Sequence, residues 1–305
     1  MLIRLYPILC KFGQANYACV LEKLVIIPTY NEKENIEKII DVVIGLQLNY
    51  HILIIDDNSP DGTADIIKSL MPKYAGQLFL EQRTGKLGLG TAYIYGFKWA
   101  IDKGYHFIFE MDADFSHNPK DLERLYAACK NGAGVAVGSR YVKGGAVANW
   151  PADRILLSKG ASLYTRIITW MPVKDPTAGF VCYRKEVLEA INLDGIEFVG
   201  YAFQIEMKFA AWKLGFKITE VPIIFQDRKL GASKMNKGLR LGYFSIVGKS
   251  LTQPVFDCFY IVVRGGFNRF HPFGVAHGKT LGGSTQRINR RLRKRQALLN
   301  LWFKR

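Results

Sequence analysis

Four short apolar runs, rich in β-branched or aromatic residues, recur across residues 24–111, and the segments between them carry a helical periodicity. The runs are Leu24-Val-Ile-Ile-Pro28, His51-Ile-Leu-Ile-Ile55, Leu78-Phe-Leu-Glu81 and Phe107-Ile-Phe-Glu-Met111. Their length suits strands, whereas the apolar positions between them have helical spacing: Ile36, Ile39, Ile40 and Val43, then Ile66, Ile67 and Leu70, then the stretch from Thr91 to Ile101. Asn31, followed by acids, is expected to cap the first helix. Asn58-Ser-Pro-Asp-Gly-Thr63 is expected to turn the chain into the second. Strands alternating with helices restrict the chain to an α/β fold, a mostly parallel sheet with helices on both faces. Farther on, Asn118 to Lys130 reads as an amphipathic helix and Gly134-Val-Ala-Val-Gly138 as a strand ending at Ser139-Arg140-Tyr141. Ile155 to Met171 reads as another helix, with Leu156, Leu157, Leu163, Tyr164, Ile167 and Ile168 as its apolar positions. That stripe fits core packing, its ordinary use, or shallow contact with a membrane surface.

Ligands of such sheets bind at the carboxyl ends of the strands. Three of these ends carry polar residues: Asn31-Glu32, Asp56-Asp57 and Asp112-Ala-Asp114. In extended backbone, residues i and i+2 project to one side, so Asp112 and Asp114 can grip one cation. Mg²⁺ and Mn²⁺ take oxygen ligands, and Mg²⁺ is often held by one or two carboxylates plus phosphate oxygens. A lone pair of this kind is equally a solvated loop; three polar strand ends in succession favour a crevice. The glycines of Gly85-Lys-Leu-Gly88-Leu-Gly90 precede a helix and let backbone approach a ligand. Their spacing is neither a Walker loop nor the G-x-G-x-x-G fingerprint, and a tight turn explains them equally well. Arg140, Arg228, Lys229 and Lys234 are candidate phosphate ligands, the last three in a flexible basic loop from Phe225 to Lys234. His117 beside the acids is a candidate base, though a structural histidine is the stronger reading. No Ser/His/Asp order or reactive-cysteine setting stands out.

Composition bounds the remainder. The 305 residues carry a formal charge of +16, of which residues 241–305, with 12 Lys/Arg and only Asp257 as an acid, hold +11. Arg287, Arg290, Arg291, Arg293, Lys294 and Arg295 cluster there. The five cysteines (Cys10, Cys19, Cys129, Cys182, Cys258) are odd in number and scattered, against a disulfide framework or zinc site; Cys182, in an apolar segment, reads as core. No apolar run approaches the roughly 20 residues that span a bilayer, and the N-terminal Leu2 to Cys10 makes a poor signal peptide.

Eight segments appear in the order found in family 2 glycosyltransferases: Val25-Ile-Ile-Pro-Thr-Tyr-Asn-Glu32, Ile54-Ile-Asp-Asp-Asn-Ser-Pro-Asp-Gly-Thr63, Lys86-Leu-Gly-Leu-Gly-Thr-Ala92, Met111-Asp-Ala-Asp-Phe-Ser-His117, Gly138-Ser-Arg-Tyr141, Asp175-Pro-Thr-Ala-Gly-Phe180, Tyr183-Arg-Lys-Glu-Val-Leu188 and Arg228-x-x-Gly-x-Ser-Lys234. The chain resembles that family over roughly residues 24 to 236, and most of all its polyprenol (dolichol) phosphate mannose synthase branch. The resemblance implies a GT-A fold and an inverting transfer of mannose from GDP-mannose to a polyprenyl monophosphate. By the same resemblance, Pro28, Tyr30, Glu32, Ile55 and Asp57 would hold the nucleotide. Asp112 and Asp114 would bind Mg²⁺ or Mn²⁺, with the Ala113 backbone beside them. Arg140, Arg228 and Lys234 would contact the donor diphosphate or the acceptor phosphate. Some relatives carry a metal-binding Gln where this chain has Ser116.

The expected organisation is an N-terminal extension (1–23), the transferase domain (24–236), an interfacial helix or linker (237–264) and an irregular basic tail (265–305). The extension and the tail depart from the family's usual pattern. The expected location is the cytoplasmic face of a membrane, with peripheral attachment aided by the basic tail or by a membrane-anchoring partner protein. The chemical neighbour of this reading uses UDP-glucose or a UDP-amino sugar with the same lipid class. A different class, a nucleic-acid-binding protein, rests on the basic tail alone; the tail lacks a reader motif, so no specific nucleic acid is expected.

Overall fold

A computed structural model describes residues 22–198 and 200–227. Arg228, Lys229 and Lys234, the 237–264 segment, the 265–305 tail and the lead-in through residue 21 lie outside the described residues. The first half comprises β1 (Lys23–Thr29), α1 (Ile36–Ile44), β2 (His51–Asp56), α2 (Thr63–Leu70), β3 (Leu78–Gln82), α3 (Leu89–Lys103), β4 (Phe107–Glu110), α4 (Asp121–Lys130) and β5 (Val135–Ser139). There follow β6 (Ala146–Ala148), α5 (Ala152–Thr169), β7 (Val181–Arg184), α6 (Lys185–Ala190), α7 (Tyr201–Lys213), β8 (Ile218–Pro222) and β9 (Ile224–Gln226). The seven-stranded sheet has the order β3-β2-β1-β4-β7-β5-β8. Within it β7 alone runs antiparallel to its neighbours β4 and β5, while the other pairings are parallel. Because β7 opposes both β4 and β5, those two strands point the same way. The carboxyl ends of β1 to β5 therefore share one edge of the sheet.

Burial on both faces explains the near-continuous apolar runs. Val25 and Ile27 face a core built with Ile36, Ile39, Ile40 and Val43 of α1, Ile67 of α2 and Leu122 and Leu125 of α4. Leu24 and Ile26, offset by one residue, face Tyr93 and Phe97 of α3 and Phe203 and Met207 of α7. Cys129 and Cys182 are buried, as expected for small core residues.

Three expectations need correction. Asn31 does not cap α1: its φ is 57°, and the helix starts at Ile36. The turn after β2 recruits the residues between, because Asn31, Glu32 and Lys33 donate their backbone N–H groups to Ser59 Oγ, Thr63 Oγ1 and Asp61 Oδ2. Phe225 and Gln226, read as part of a flexible loop, form β9 and pair in parallel with β6. Core packing of the α5 stripe is not observed either. Ser162 and Thr165 are the buried positions of that helix, and Leu156, Leu163 and Ile167 stand 74%, 54% and 64% exposed. Strand β1 opens at Lys23.

Candidate active site

The sheet order reverses between β1 and β4, the position where open α/β sheets bind ligands. On one side β1 and β2 end in Thr29 and Asp56; on the other β4 leads into Asp112-Ala-Asp114. Alternation continues past the strand, so Ile108 and Glu110 face the α3/α7 side and Phe109, Met111 and Ala113 the opposite core. Asp112 retains 40% side-chain exposure. Asp114 is buried and its Oδ1 accepts from the Ser116 N–H at 3.0 Å and from Ser116 Oγ at 2.6 Å. Ser116 thus braces a carboxylate at the position where some relatives place a metal-binding Gln. Phe115, between Asp114 and Ser116, has φ 58°.

His117 is buried, stacked 4.8 Å from the Phe180 ring and edge-on to Phe225. Burial is the main cause of a pKa pushed down to about 4, against the attraction of Asp114. Its neutral Nδ1 lies 3.4 Å from the Asp112 N–H, a long contact that positions the carboxylate loop. This is the structural histidine.

The residues proposed around the nucleotide line the β1–β2 side. Pro28 and Tyr30 are half-buried, and Lys86 from the glycine turn lies over the Tyr30 ring. Glu32 is buried and accepts from the Asn35 side-chain amide. Ile55 is fully buried, its main chain in the ladder between Pro28 of β1 and Glu81 of β3. Asp57 is gripped by Arg83, whose Nε donates at 2.6 Å, and the same guanidinium reaches Thr91 Oγ1 and the Gly88 carbonyl. Arg83 therefore ties the second strand end to the glycine turn. Gly88, with φ 102°, takes a backbone that a side chain resists.

Arg140 follows β5 on the same sheet edge. Asp175 takes its backbone N–H at 2.9 Å, its Nε at 2.7 Å and its Nη2 at 2.6 Å, and Thr177 Oγ1 accepts from Nη2 as well. The aromatic rings of Tyr141, Trp150 and Phe225 surround the guanidinium. Asp175 is itself held through its N–H by Glu220 at 3.0 Å. Arg140 is thus fixed in orientation before any ligand arrives.

Beneath Asp112 lies a polar cluster that sequence reading passed over. Glu110 and Lys208 are both fully buried. Lys208 Nζ donates to the Ala178 carbonyl at 2.7 Å and to the Gln204 carbonyl and Oε1, each at 3.0 Å. Burial raises Glu110 to a pKa of about 8 and lowers Lys208 to about 8, while each charge favours the other. Lys208 so ties Gln204 of α7 to the Ala178 carbonyl. The one sequence signal was Glu110 itself, an acid inside an apolar run, two residues before Asp112.

Among the described residues no group of three or more His, Cys, Asp or Glu gathers as a metal cage. The Asp112/Asp114 donor set fits a hard cation that completes its shell with substrate oxygens.

Residues 24–191 match the family model of glycosyl transferase family 2. The polyprenol monophosphomannose synthase of Mycolicibacterium smegmatis is 47% identical over 213 residues, 70% of this chain and 80% of that protein. The undecaprenyl-phosphate mannosyltransferase of Micrococcus luteus is 44% identical over 216 residues, 71% of this chain and 88% of that protein. Among solved structures, glucosyl-3-phosphoglycerate synthase from Mycobacterium tuberculosis, in complex with Mn²⁺, uridine diphosphate and phosphoglyceric acid, shares the fold. Its TM-score is 0.54 at 18% identity, over 77% of this chain and 78% of that one.

Proposed function

The chain belongs to glycosyl transferase family 2, and on that premise we propose that it moves mannose from GDP-mannose to a polyprenyl monophosphate with inversion, aided by Mg²⁺ or Mn²⁺. The observation that carries this reading is the shared sheet edge: Asp112 and Asp114 follow β4, and a pre-oriented Arg140 follows β5, at the same end of the sheet. An acceptor phosphate oxygen is already anionic at neutral pH, so it attacks the anomeric carbon without a general base. The bond between that carbon and the donor's diphosphate oxygen breaks, and GDP departs with the bonding pair. A single displacement of this kind inverts the anomeric centre.

What the protein must supply is orientation and neutralisation of two anionic reactants. When bound, a divalent cation adds Lewis-acid charge at the departing diphosphate. Asp112 and Asp114 would hold it, and Arg140 would orient an anionic oxygen on the facing side. Arg228 and Lys234 are assigned the remaining cationic contacts to diphosphate or acceptor. Pro28, Tyr30, Glu32, Ile55 and Asp57 are assigned to the nucleotide, with the Ala113 backbone beside the metal. The reading includes peripheral attachment at the cytoplasmic face of a membrane, where the acceptor's prenyl chain resides, with or without an anchoring partner protein. Among the described residues, no helix is long and apolar enough to cross a bilayer.

Transfer of radiolabelled sugar from a panel of sugar nucleotides to a short prenyl phosphate tests the reading. GDP-mannose is expected to exceed UDP-glucose in kcat/KM, the measure of discrimination, and EDTA to stop transfer until Mg²⁺ or Mn²⁺ is restored. Preference for a UDP-sugar would assign the chain to the neighbouring chemistry.

A further inference from the structure

Asp175 holds Arg140, and the segment that carries Asp175 is itself pinned at both ends by charged side chains from elsewhere in the fold. Lys174-Asp-Pro-Thr-Ala178 lies between α5 and β7 and carries neither helix nor strand. Its centre is a turn. Pro176 has no N–H to give and biases Asp175 to extended backbone, and the Ala178 N–H reaches back to the Asp175 carbonyl at 3.3 Å. At the exit, Lys208 of α7 donates to the Ala178 carbonyl at 2.7 Å. At the entry, the Glu220 carboxylate of β8 accepts two consecutive backbone N–H groups. Lys174 donates to Oε2 at 2.8 Å and Asp175 to Oε1 at 3.0 Å.

Two neighbouring donors aimed at one side chain call for a carboxylate. An ionised Glu offers two acceptor oxygens, whereas a Gln of the same size offers one and sets its NH₂ against the second donor. Hydrogen bonds to a charged acceptor are also about twice as strong as neutral ones. The grip is then passed on. Asp175 is fully buried, and its oxygens accept from the backbone N–H, Nε and Nη2 of Arg140 at 2.9, 2.7 and 2.6 Å. The strand that supplies Glu220 is also paired with the strand that leads to Arg140. In the parallel register of β5 and β8, Val137 stands opposite Glu220 and Ser139 opposite Pro222, and the Ile223 N–H donates to the Ser139 carbonyl at 3.0 Å. Glu220 therefore closes a ring of contacts that runs from β5 through Arg140 and Asp175 and back to β8.

We propose that Glu220 is a positioning residue of the transfer reaction: its carboxylate sets the Asp175 main chain, and so the angle at which Asp175 presents the Arg140 guanidinium to an anionic substrate oxygen. This role rests on the one proposed above for Arg140, and Glu220 acts through Asp175 and Arg140 rather than on a substrate. A guanidinium fixed before the substrate arrives needs no reorganisation as charge develops. Fixing it takes more than the Arg140–Asp175 pair, because two side chains that hold only each other can swing together. Lys208 anchors the far end of the turn at Ala178, and Glu220 anchors the end at which Asp175 stands.

Glu220→Gln in the full chain, checked for folding by circular dichroism, tests this. The arginine Nε–H region of a proton–nitrogen correlation spectrum reports on Arg140 without any substrate, its signal assigned by its loss in Arg140→Lys. In the parent protein that proton, held by Asp175, should exchange slowly with water; in Glu220→Gln its signal should broaden or vanish. Glu220→Asp keeps the charge but lacks one methylene of reach, so it should show the same loss and replaces the Gln variant if that one misfolds. With the sugar nucleotide that the parent transfers best, Glu220→Gln should lower kcat/KM at least about tenfold, within the roughly hundredfold that a misplacement of about 1 Å can cause. The same substitution made in Arg140→Lys, which lacks the fork that Asp175 grips, should cost less than about twofold. An Arg140 proton that already exchanges fast in the parent protein, or a signal unchanged by the folded variant, would overturn the proposal. So would an unchanged kcat/KM, or equal losses in the two backgrounds, the mark of an acid that serves stability alone. Absence of any transfer to prenyl phosphate would instead overturn the proposed function, and the substrate-free spectrum would still decide whether Glu220 sets Arg140.

Discussion

Asp112 and Asp114 share a turn but not an environment. Asp112 reaches out of the turn, whereas Asp114 is buried against Ser116. Asp112→Asn and Asp114→Asn are each expected to abolish transfer while circular dichroism stays native, because charge stabilisation of this kind is worth several kcal/mol. A folded double variant with full turnover in EDTA would refute the metal assignment. His117 makes a separate prediction at this scale. Its folded pKa of about 4 lies below the ordinary 6.5, so between those values the unfolded chain binds more protons than the native one. Stability therefore rises with pH across that window and is lost as pH falls from 6.5 towards 4, by an amount on the order of 3 kcal/mol. Urea titrations at pH 7 and 4.5 should show a smaller difference in His117→Asn than in the parent protein; equal differences would refute this role. The carboxylate pair was legible from its spacing. Asp175 as the partner of Arg140 was not, since 35 residues separate them and nothing local links the two.

Strands β1 to β5 were legible because two buried faces demand apolar residues at nearly every position, and such runs are conspicuous; β7 and β8 were not read as strands. Helices α1 to α4 were legible from their stripes, within a few residues at the ends. The start of α1 was misread because side chains of the next turn, and not Asn31, bind the polar residues ahead of it. Short elements with a mixed pattern, β6 and β9, gave no periodicity to detect. The entry to α3 supplies an element-scale prediction. A Cβ at Gly90 would stand 2.7 Å from the Phe198 carbonyl oxygen and 3.0 Å from the Phe203 ring, whereas one at Gly85 meets nothing within 4 Å. Gly90→Ala should destabilise the protein by about 1–3 kcal/mol, as overpacking does, and lower the thermal midpoint. Gly85→Ala should leave it nearly unchanged. Equal midpoints for the two variants would mean that α3 and the Phe198–Phe203 segment adjust without cost.

At the scale of the whole molecule, charge is uneven along the sequence. The +11 of residues 241–305 lies outside the described residues, and so does the alternative that a basic tail suggests, nucleic-acid binding. Deleting residues 265–305 is expected to weaken sedimentation with anionic vesicles in a salt-sensitive way. Mannosylation of a short, water-soluble prenyl phosphate should persist. Loss of turnover with the soluble acceptor would place the tail within the catalytic fold. The sequence by itself determined the α/β class, the strands that end in acids and the carboxylate pair, because periods of 2 and 3.6 and an i, i+2 spacing are properties of neighbouring residues. Tertiary structure alone decided which distant groups meet: Arg140 with Asp175, Arg83 with Asp57, Lys208 with the Ala178 carbonyl. It also decided that the apolar stripe of α5 faces outward. An amphipathic helix specifies that one face seeks an apolar neighbour, but whether the protein's own core provides that neighbour depends on how the sheet and its loops close around it.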